Sequence, residues 1–411
     1  MNDLIRSLPV MKSGQELIAA MEVLPQYDPR IRTADAPVRL MALSDLYRIY
    51  VPSQMSLEIY SKLYLALLRS LQKKGTKLAV QQQNQNFNAI MQQEYSGIMG
   101  GSDSFTIIGA SGIGKSSAIS RALALITESR MLEMENPYAK IIPCICVQCP
   151  FDSSVKGLLL EILRKVDECI GSKYYPNALR ARSTTDMLIG AVSQVALNHI
   201  GLLVVDEIQN VVNSRNGKSL VGMLTQLINN SGISICMVGT PDSAVFFEQA
   251  MQLARRSLGL RYDLMEYGVQ FRRFCEALFS YQYVKNKTEI TDAMIEWFYE
   301  HSAGNTSVVV SLIHDAQEIA ILGGKETLNL EVLNEAYTKR LSLLHGFISI
   351  KQKSQTSKPR KKAVATVQTD IADPEAQEDI RIFDLVSSAK SDGVDIVQRL
   401  QEYIPVMEVA V

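Results

Sequence analysis

The chain has 411 residues, with 42 Lys and Arg against 43 Asp and Glu for a formal net charge of −1; two or three domains of about 150 residues fit that length, and no global positive field marks a nucleic-acid binder. With 47% apolar and 21% charged residues, the composition is that of a folded soluble protein and excludes a disordered or fibrous one. No apolar run reaches the roughly 18 residues of a membrane span, the opening MNDLIRSLPVMKSG lacks the layout of a secretory signal, and six scattered cysteines fit reduced thiols, so a cytoplasmic location is expected.

Residues 1 to about 40 show weak periodicity and prolines at 9, 25, 29 and 37, which predicts an irregular arm. From Met55 to Leu71 apolar residues recur at helical spacing and predict an amphipathic helix. The Gln- and Asn-rich stretch 81–93 reads as a polar helix or a mobile linker. Residues 1–98 thus form an N-terminal arm and helix.

Over 99–268 short apolar strands alternate with helices, the pattern of an α/β core with a parallel sheet flanked by helices. The strands are expected at Ser104–Ile108, Ile141–Val147, Gly201–Val205, Ile233–Val238 and Tyr262–Glu266, the helices at Lys115–Ile126, Val155–Ile170, Thr185–His199, Lys218–Asn230 and Ser243–Arg256. In the second helix Leu158, Leu159, Ile162, Leu163 and Val166 share one face. Residues 269–350 carry only helical patterns (269–287, 291–302, 306–322, 329–344) and predict a small all-helical domain. The segment 351–362, KQKSQTSKPRKK, reads as a flexible basic linker. Residues 363–411 form an acidic tail whose apolar clusters at Ile380–Val386 and Val394–Ile404 would need a surface to pack on.

The sharpest motif is Gly109, Ala110, Ser111, Gly112, Ile113, Gly114, Lys115 and Ser116, which fits G-x-x-x-x-G-K-[ST] between a strand and a helix and continues into Ser117. Glycines let the backbone N–H groups close on a phosphate, Lys115 supplies a point charge, and the Ser116 hydroxyl can ligate Mg²⁺. The run Leu202–Val205 ends in Asp206 and Glu207; Asp206 would hold Mg²⁺ and Glu207 would polarise an attacking water, which favours hydrolysis of ATP over phosphoryl transfer to a small molecule. Thr240 in Gly239-Thr-Pro241 could sense a γ-phosphate, or is an ordinary turn and helix cap. Arg255 and Arg256 suit an arginine finger donated across a subunit interface, or a helix C-terminus. Cys144, Cys146 and Cys149 lie on or beside a strand with no histidine near and read as small buried hydrophobes; the four histidines form no metal or triad spacing, and Trp297 reads as core.

This order of motifs resembles the AAA+ ATPases, and within them the TnsC/TniB-type regulators of multi-protein bacterial transposons. The resemblance rests on Tyr50-Val-Pro52, Gln148-Cys-Pro-Phe-Asp152 with Lys156-Gly157, Gly201 through Asn210, Gly239-Thr-Pro241 and Ala254-Arg-Arg-Ser257, and covers roughly 45–320. It implies an AAA+ P-loop core with a helical lid, ATP and Mg²⁺ as cofactors, and a homo-oligomeric ring or filament around double-stranded DNA. Such an assembly would link a TniQ/TnsD-like target selector to transposase subunits, in a CRISPR-associated setting or outside one. Lys156, Lys173, Arg180, Arg182, Arg215 and Lys218 are the DNA-contact candidates. The chain departs from the pattern near Ser302–Thr306, where many AAA+ lids carry an arginine facing the γ-phosphate and none follows here. An AAA+ replication initiator or helicase loader is the alternative, though such proteins normally add a DNA-binding domain after the lid; a small-molecule kinase fits Glu207, the arginine pair and the lid less well.

Overall fold

A computed structural model describes residues 3–74, 76–92, 104–128, 130–135, 138–152, 154–211, 217–244 and 259–341. Arg215, Arg255, Arg256, the helix beyond Ala244, the basic linker and the acidic tail lie outside the described residues, as does the side chain of Lys218. No helix among the described residues is long and apolar enough to cross a membrane.

Six strands form one sheet: β1 (Phe105–Gly109), β2 (Leu132–Glu135), β3 (Tyr138–Gln148), β4 (Ile200–Asp206), β5 (Ser234–Gly239) and β6 (Leu260–Tyr262), in the order β2-β3-β4-β5-β1-β6. All neighbours are parallel except β2 and β3, which pair antiparallel from Leu132↔Ile141 to Glu135↔Tyr138. Pro143 sits on β3 just beyond the last residue paired with β2, where a missing N–H leaves that ladder intact. The sequence pattern gives no sign of β2, because an edge strand of four residues, Leu-Glu-Met-Glu, is too short to show a period; its Leu132 is buried. The last strand lies at Leu260–Tyr262, upstream of the expected Tyr262–Glu266, because pairing with β1 runs only from Ile107↔Leu260 to Gly109↔Tyr262.

The first three helices belong to the N-terminal segment: α1 (Asp3–Arg6), α2 (Gly14–Met21) and α3 (Ala36–Ala42). They correct the expected irregular arm. Leu4, Leu8, Leu17 and Met21 are buried, and Pro29 and Pro37 occupy first-turn positions, where a missing N–H opens a helix without breaking it. The next two are α4 (Gln54–Lys73) and α5 (Lys77–Gln92). The Gln-rich stretch is thus helical, and Lys74 between the two donates to the carbonyls of Ala196 and Leu197 at 3.1 and 2.5 Å.

Around the sheet stand α6 (Lys115–Thr127), α7 (Val155–Ile170), α8 (Tyr174–Arg180), α9 (Thr185–His199) and α10 (Gly217–Ser231). The face predicted on α7 is buried with residues of α9, α10 and the sheet in one cluster. The opposite sheet face packs against α4 and α6, with α1 and α2 joining that cluster. A third cluster joins α11 (Val269–Phe279), α12 (Asp292–Ser302), α13 (Thr306–Leu322) and α14 (Leu330–Arg340) to Leu43, Leu46, Ile49 and Val51 of the N-terminal segment. Trp297 belongs to it, stacked on His301 at 4.0 Å and donating to Asn334 Oδ1 at 3.0 Å. The segment before α4 therefore contacts both the sheet layers and the helical lid.

Candidate functional site

The strand β1 is buried throughout and delivers residues 110–114 into the first turn of α6. Gly112 and Gly114 have φ of +81° and +90°, a region that L side chains rarely adopt. Lys115 Nζ donates to the Gly109 and Ala110 carbonyls at 2.6 and 2.8 Å. Burial pushes its ammonium below the usual lysine range, partly opposed by the Asp206 and Glu207 carboxylates.

Because β5 lies between β1 and β4, the loop and the acidic strand end stand two strand spacings apart, about 9.5 Å. That gap suits phosphates at the carboxyl edge of a parallel sheet. Ser116 Oγ donates to Asp206 Oδ2 at 3.1 Å across it, and the Glu207 N–H donates to Asp206 Oδ1 at 2.8 Å. Glu207 sits at φ +58°, a strained region for a residue with a side chain. Thr240, just after β5, has a buried hydroxyl without a hydrogen-bond partner among the described residues.

These groups line one cleft of about 430 Å³, within the range of roughly 300–1,000 Å³ typical of small-ligand sites. Its other wall is apolar: Ile49 and Val51 from the N-terminal segment face Met265, Phe274 and Val310 of the lid side. The left-handed glycines, the unmatched Thr240 hydroxyl and an oxygen pair from Ser116 and Asp206 suit a nucleoside triphosphate and a hard divalent cation.

Sequence reasoning missed three parts of this site. Gln209 bridges the catalytic candidates: its Nε2 donates to the Glu207 carboxylate, and its Oε1 accepts from the Thr240 N–H at 3.3 Å. The string Asp206-Glu-Ile-Gln209 was the available signal. The apolar wall and the lid residues Asn305, Thr306 and Ser307 complete the list; only the missing arginine marked the latter.

Four of the six basic candidates lie among the described residues with their side chains. Lys156, Lys173, Arg180 and Arg182 are exposed; Lys156 stands in the first turn of α7 and Lys173 beyond its other end, a helix about 24 Å long. Among the cysteines Cys149 is buried and Cys144 half-buried, whereas Cys146 is exposed, which corrects the expectation of three buried thiols. On α13, His314, Asp315 and Glu318 have their ligand atoms within 4.8 Å of one another, but Asp315 faces His314 at 2.9 Å and Glu318 pairs with Arg340 at 3.3 Å.

The strand order, with the phosphate loop after β1 and the acidic end of β4 separated by the single strand β5, defines an AAA+ P-loop core with a helical lid. Within that class, the model of the bacterial TniB protein family matches residues 78–261, just under half of the chain's length. No curated protein matched the chain in sequence. Among solved structures it is similar to Orc1 of Aeropyrum pernix in complex with DNA, at 16% identity and TM-score 0.41, covering 64% of each chain. It is also similar to Cdc6p of Pyrobaculum aerophilum, at 11% identity and TM-score 0.40 over 57% of this chain and 60% of that one. A point mutant of RuvB from Thermotoga maritima follows at 14% identity and TM-score 0.35, over 64% of this chain and 69% of that one. The chain thus spans less than two thirds of the length of the Orc1 structure.

Proposed function

We propose that the protein is an ATP hydrolase that acts as an assembly switch on double-stranded DNA and regulates transposition, linking a TniQ/TnsD-like target selector to transposase subunits. The observation that carries the ATPase reading is the convergence of Lys115, Ser116, Asp206, Glu207 and Thr240 on one cleft. The TniB match supports the transposition reading.

In this reading Lys115 leaves the Gly109 and Ala110 carbonyls to hold phosphate oxygens of ATP. Ser116 and Asp206 would hold Mg²⁺, which neutralises charge on the phosphates. Glu207 takes a proton from the attacking water, and Thr240 donates its hydroxyl beside that water or the γ-phosphate. Arg255 and Arg256 reach the site of a neighbouring protomer, and the six basic candidates face DNA.

Electron micrographs should show rings or filaments with double-stranded DNA and a non-hydrolysable ATP analogue together, and neither with DNA alone. DNA affinity should fall with salt at a log-log slope of about −0.9 per phosphate contact. Assembly without nucleotide, or a flat salt response, would sink the proposal. For the arginines, an Arg255→Ala/Arg256→Ala protein mixed with a Lys115→Ala protein should regain hydrolysis that neither shows alone. Absence of rescue would return both arginines to a capping role.

A further inference from the structure

The lid meets the phosphate loop through backbone carbonyls. Asn305 Nδ2 donates to the Ser111 carbonyl at 3.0 Å, and Thr306 Oγ1 donates to the Gly112 carbonyl at 2.9 Å. The Ser307 N–H donates to that same Gly112 oxygen at 3.0 Å. All three donors stand at the N-terminus of α13, the partly positive end of a 17-residue helix. Asn305 is its cap, accepting from the Ser307 N–H at 3.1 Å and the Ser307 hydroxyl at 2.9 Å. The approach is close: a Cβ on Gly112 would stand 2.4 Å from Ser307 Oγ and 2.6 Å from Asn305 Oδ1. On the lid side Gly304 has φ +81°, and a Cβ there would lie 1.9 Å from the Met265 carbonyl. Both partners of this contact thus need glycine.

The carbonyl and the N–H of one amide are two ends of the same dipole. The Ser111 carbonyl shares its amide with the Gly112 N–H, and the Gly112 carbonyl shares its amide with the Ile113 N–H. Hydrogen bonds to the oxygens polarise these amides and make their N–H groups stronger donors. Those N–H groups belong to the loop that closes on a phosphate. Helix α13, Thr306–Leu322, carries no Lys or Arg, so its influence on the phosphates has to pass through groups of this kind.

We infer that Asn305, Thr306 and Ser307 are positioning residues of the nucleotide site, which strengthen the phosphate nest from behind and tie lid seating to phosphate occupancy. Coupling of this sort is reciprocal: whatever factor the lid contact adds to phosphate binding, bound phosphate adds to lid seating. The inference rests on the ATP-binding reading above, and binding alone tests it.

Thr306→Val keeps the shape of the side chain and removes one donor, while Thr306→Ser keeps the donor. Displacement of a fluorescent ADP analogue by ADP and by adenosine should show ADP affinity about three- to tenfold weaker in Thr306→Val, the range one neutral hydrogen bond commands. Adenosine affinity should be unchanged, and Thr306→Ser should restore ADP binding to within about twofold of wild type. Unaltered ADP affinity in the Val variant overturns the inference. A parallel loss of adenosine binding, or no rescue by Ser, overturns it in favour of a lid that only packs. A wild-type protein that binds no ADP overturns the ATP-binding reading itself, and the inference with it.

Discussion

Glu207→Gln protein should bind ATP with wild-type affinity and hydrolyse it about 10²- to 10⁴-fold more slowly, the usual loss on removing a general base. The substitution keeps the size of the side chain and the strained backbone at φ +58°, so it removes basicity with little change of shape. Lys115→Ala differs in kind: the ammonium now held by the Gly109 and Ala110 carbonyls is the only fixed charge of the loop, and ATP binding itself should fail. A fluorescent-ATP titration and a phosphate-release assay separate the two defects. Because Glu207→Gln traps the bound state, it should also accumulate the DNA-bound assembly, visible as co-sedimentation with DNA under conditions where wild-type protein turns over and releases it. Normal turnover in the Gln variant would remove Glu207 from the base role. The cleft would then have to supply another acceptor near Thr240 and Gln209.

The nucleotide core was legible because its signals are local. A phosphate loop must place glycines, lysine and hydroxyl at fixed spacing within nine residues, 109–117, and a buried parallel strand must read as an apolar run, so both can be found without tertiary information. The bounds of α7 and α9 match their periodicity for the same reason: each buries one continuous face. The helices of the N-terminal segment leave no such pattern because they are short and draw their order from tertiary burial, as Leu4 and Met21 show. Contacts between distant segments left no local signature. Asn305 and Ser111 are 194 residues apart, and nothing in the spacing of either segment requires the other. The missing lid arginine pointed to an altered contact, but the carbonyl-directed alternative became visible only with the helix end seated on the loop.

Arg39 is the other long-range element, and its removal should have the largest effect on stability. The residue is 1% exposed, and its guanidinium meets Glu326 in a two-pronged pair, both contacts at 2.7 Å. It also donates to the Tyr283 carbonyl at 2.9 Å and the Ala34 carbonyl at 3.0 Å, so α3, the loop after α11 and the loop before α14 converge on one cation. The Arg39 hydrogen bonds hold the Glu326 carboxyl below the usual carboxylate range. A depressed acid of this kind stabilises the fold above its unfolded value of about 4.3, and that contribution is lost as pH falls through the depressed value. Arg39→Ala leaves Glu326 and two carbonyls without their buried partner, and should cost about 3–5 kcal/mol. Arg39→Lys should recover little, since an ammonium cannot reproduce the planar two-pronged geometry. Urea unfolding of both variants beside wild type gives the loss from the midpoint shift at constant slope. Nucleotide affinity gives a second reading, because the same segment continues through Leu46 and Ile49 into the apolar wall of the cleft. Arg39→Ala should therefore weaken ATP binding as it loosens the N-terminal segment, and its unfolding midpoint should lose less than that of wild type on acidification below about pH 5. Unfolding within about 0.5 kcal/mol of wild type, the scatter of an ordinary surface substitution, would show that the arm is held by the apolar contacts of Leu43, Leu46 and Ile49 alone.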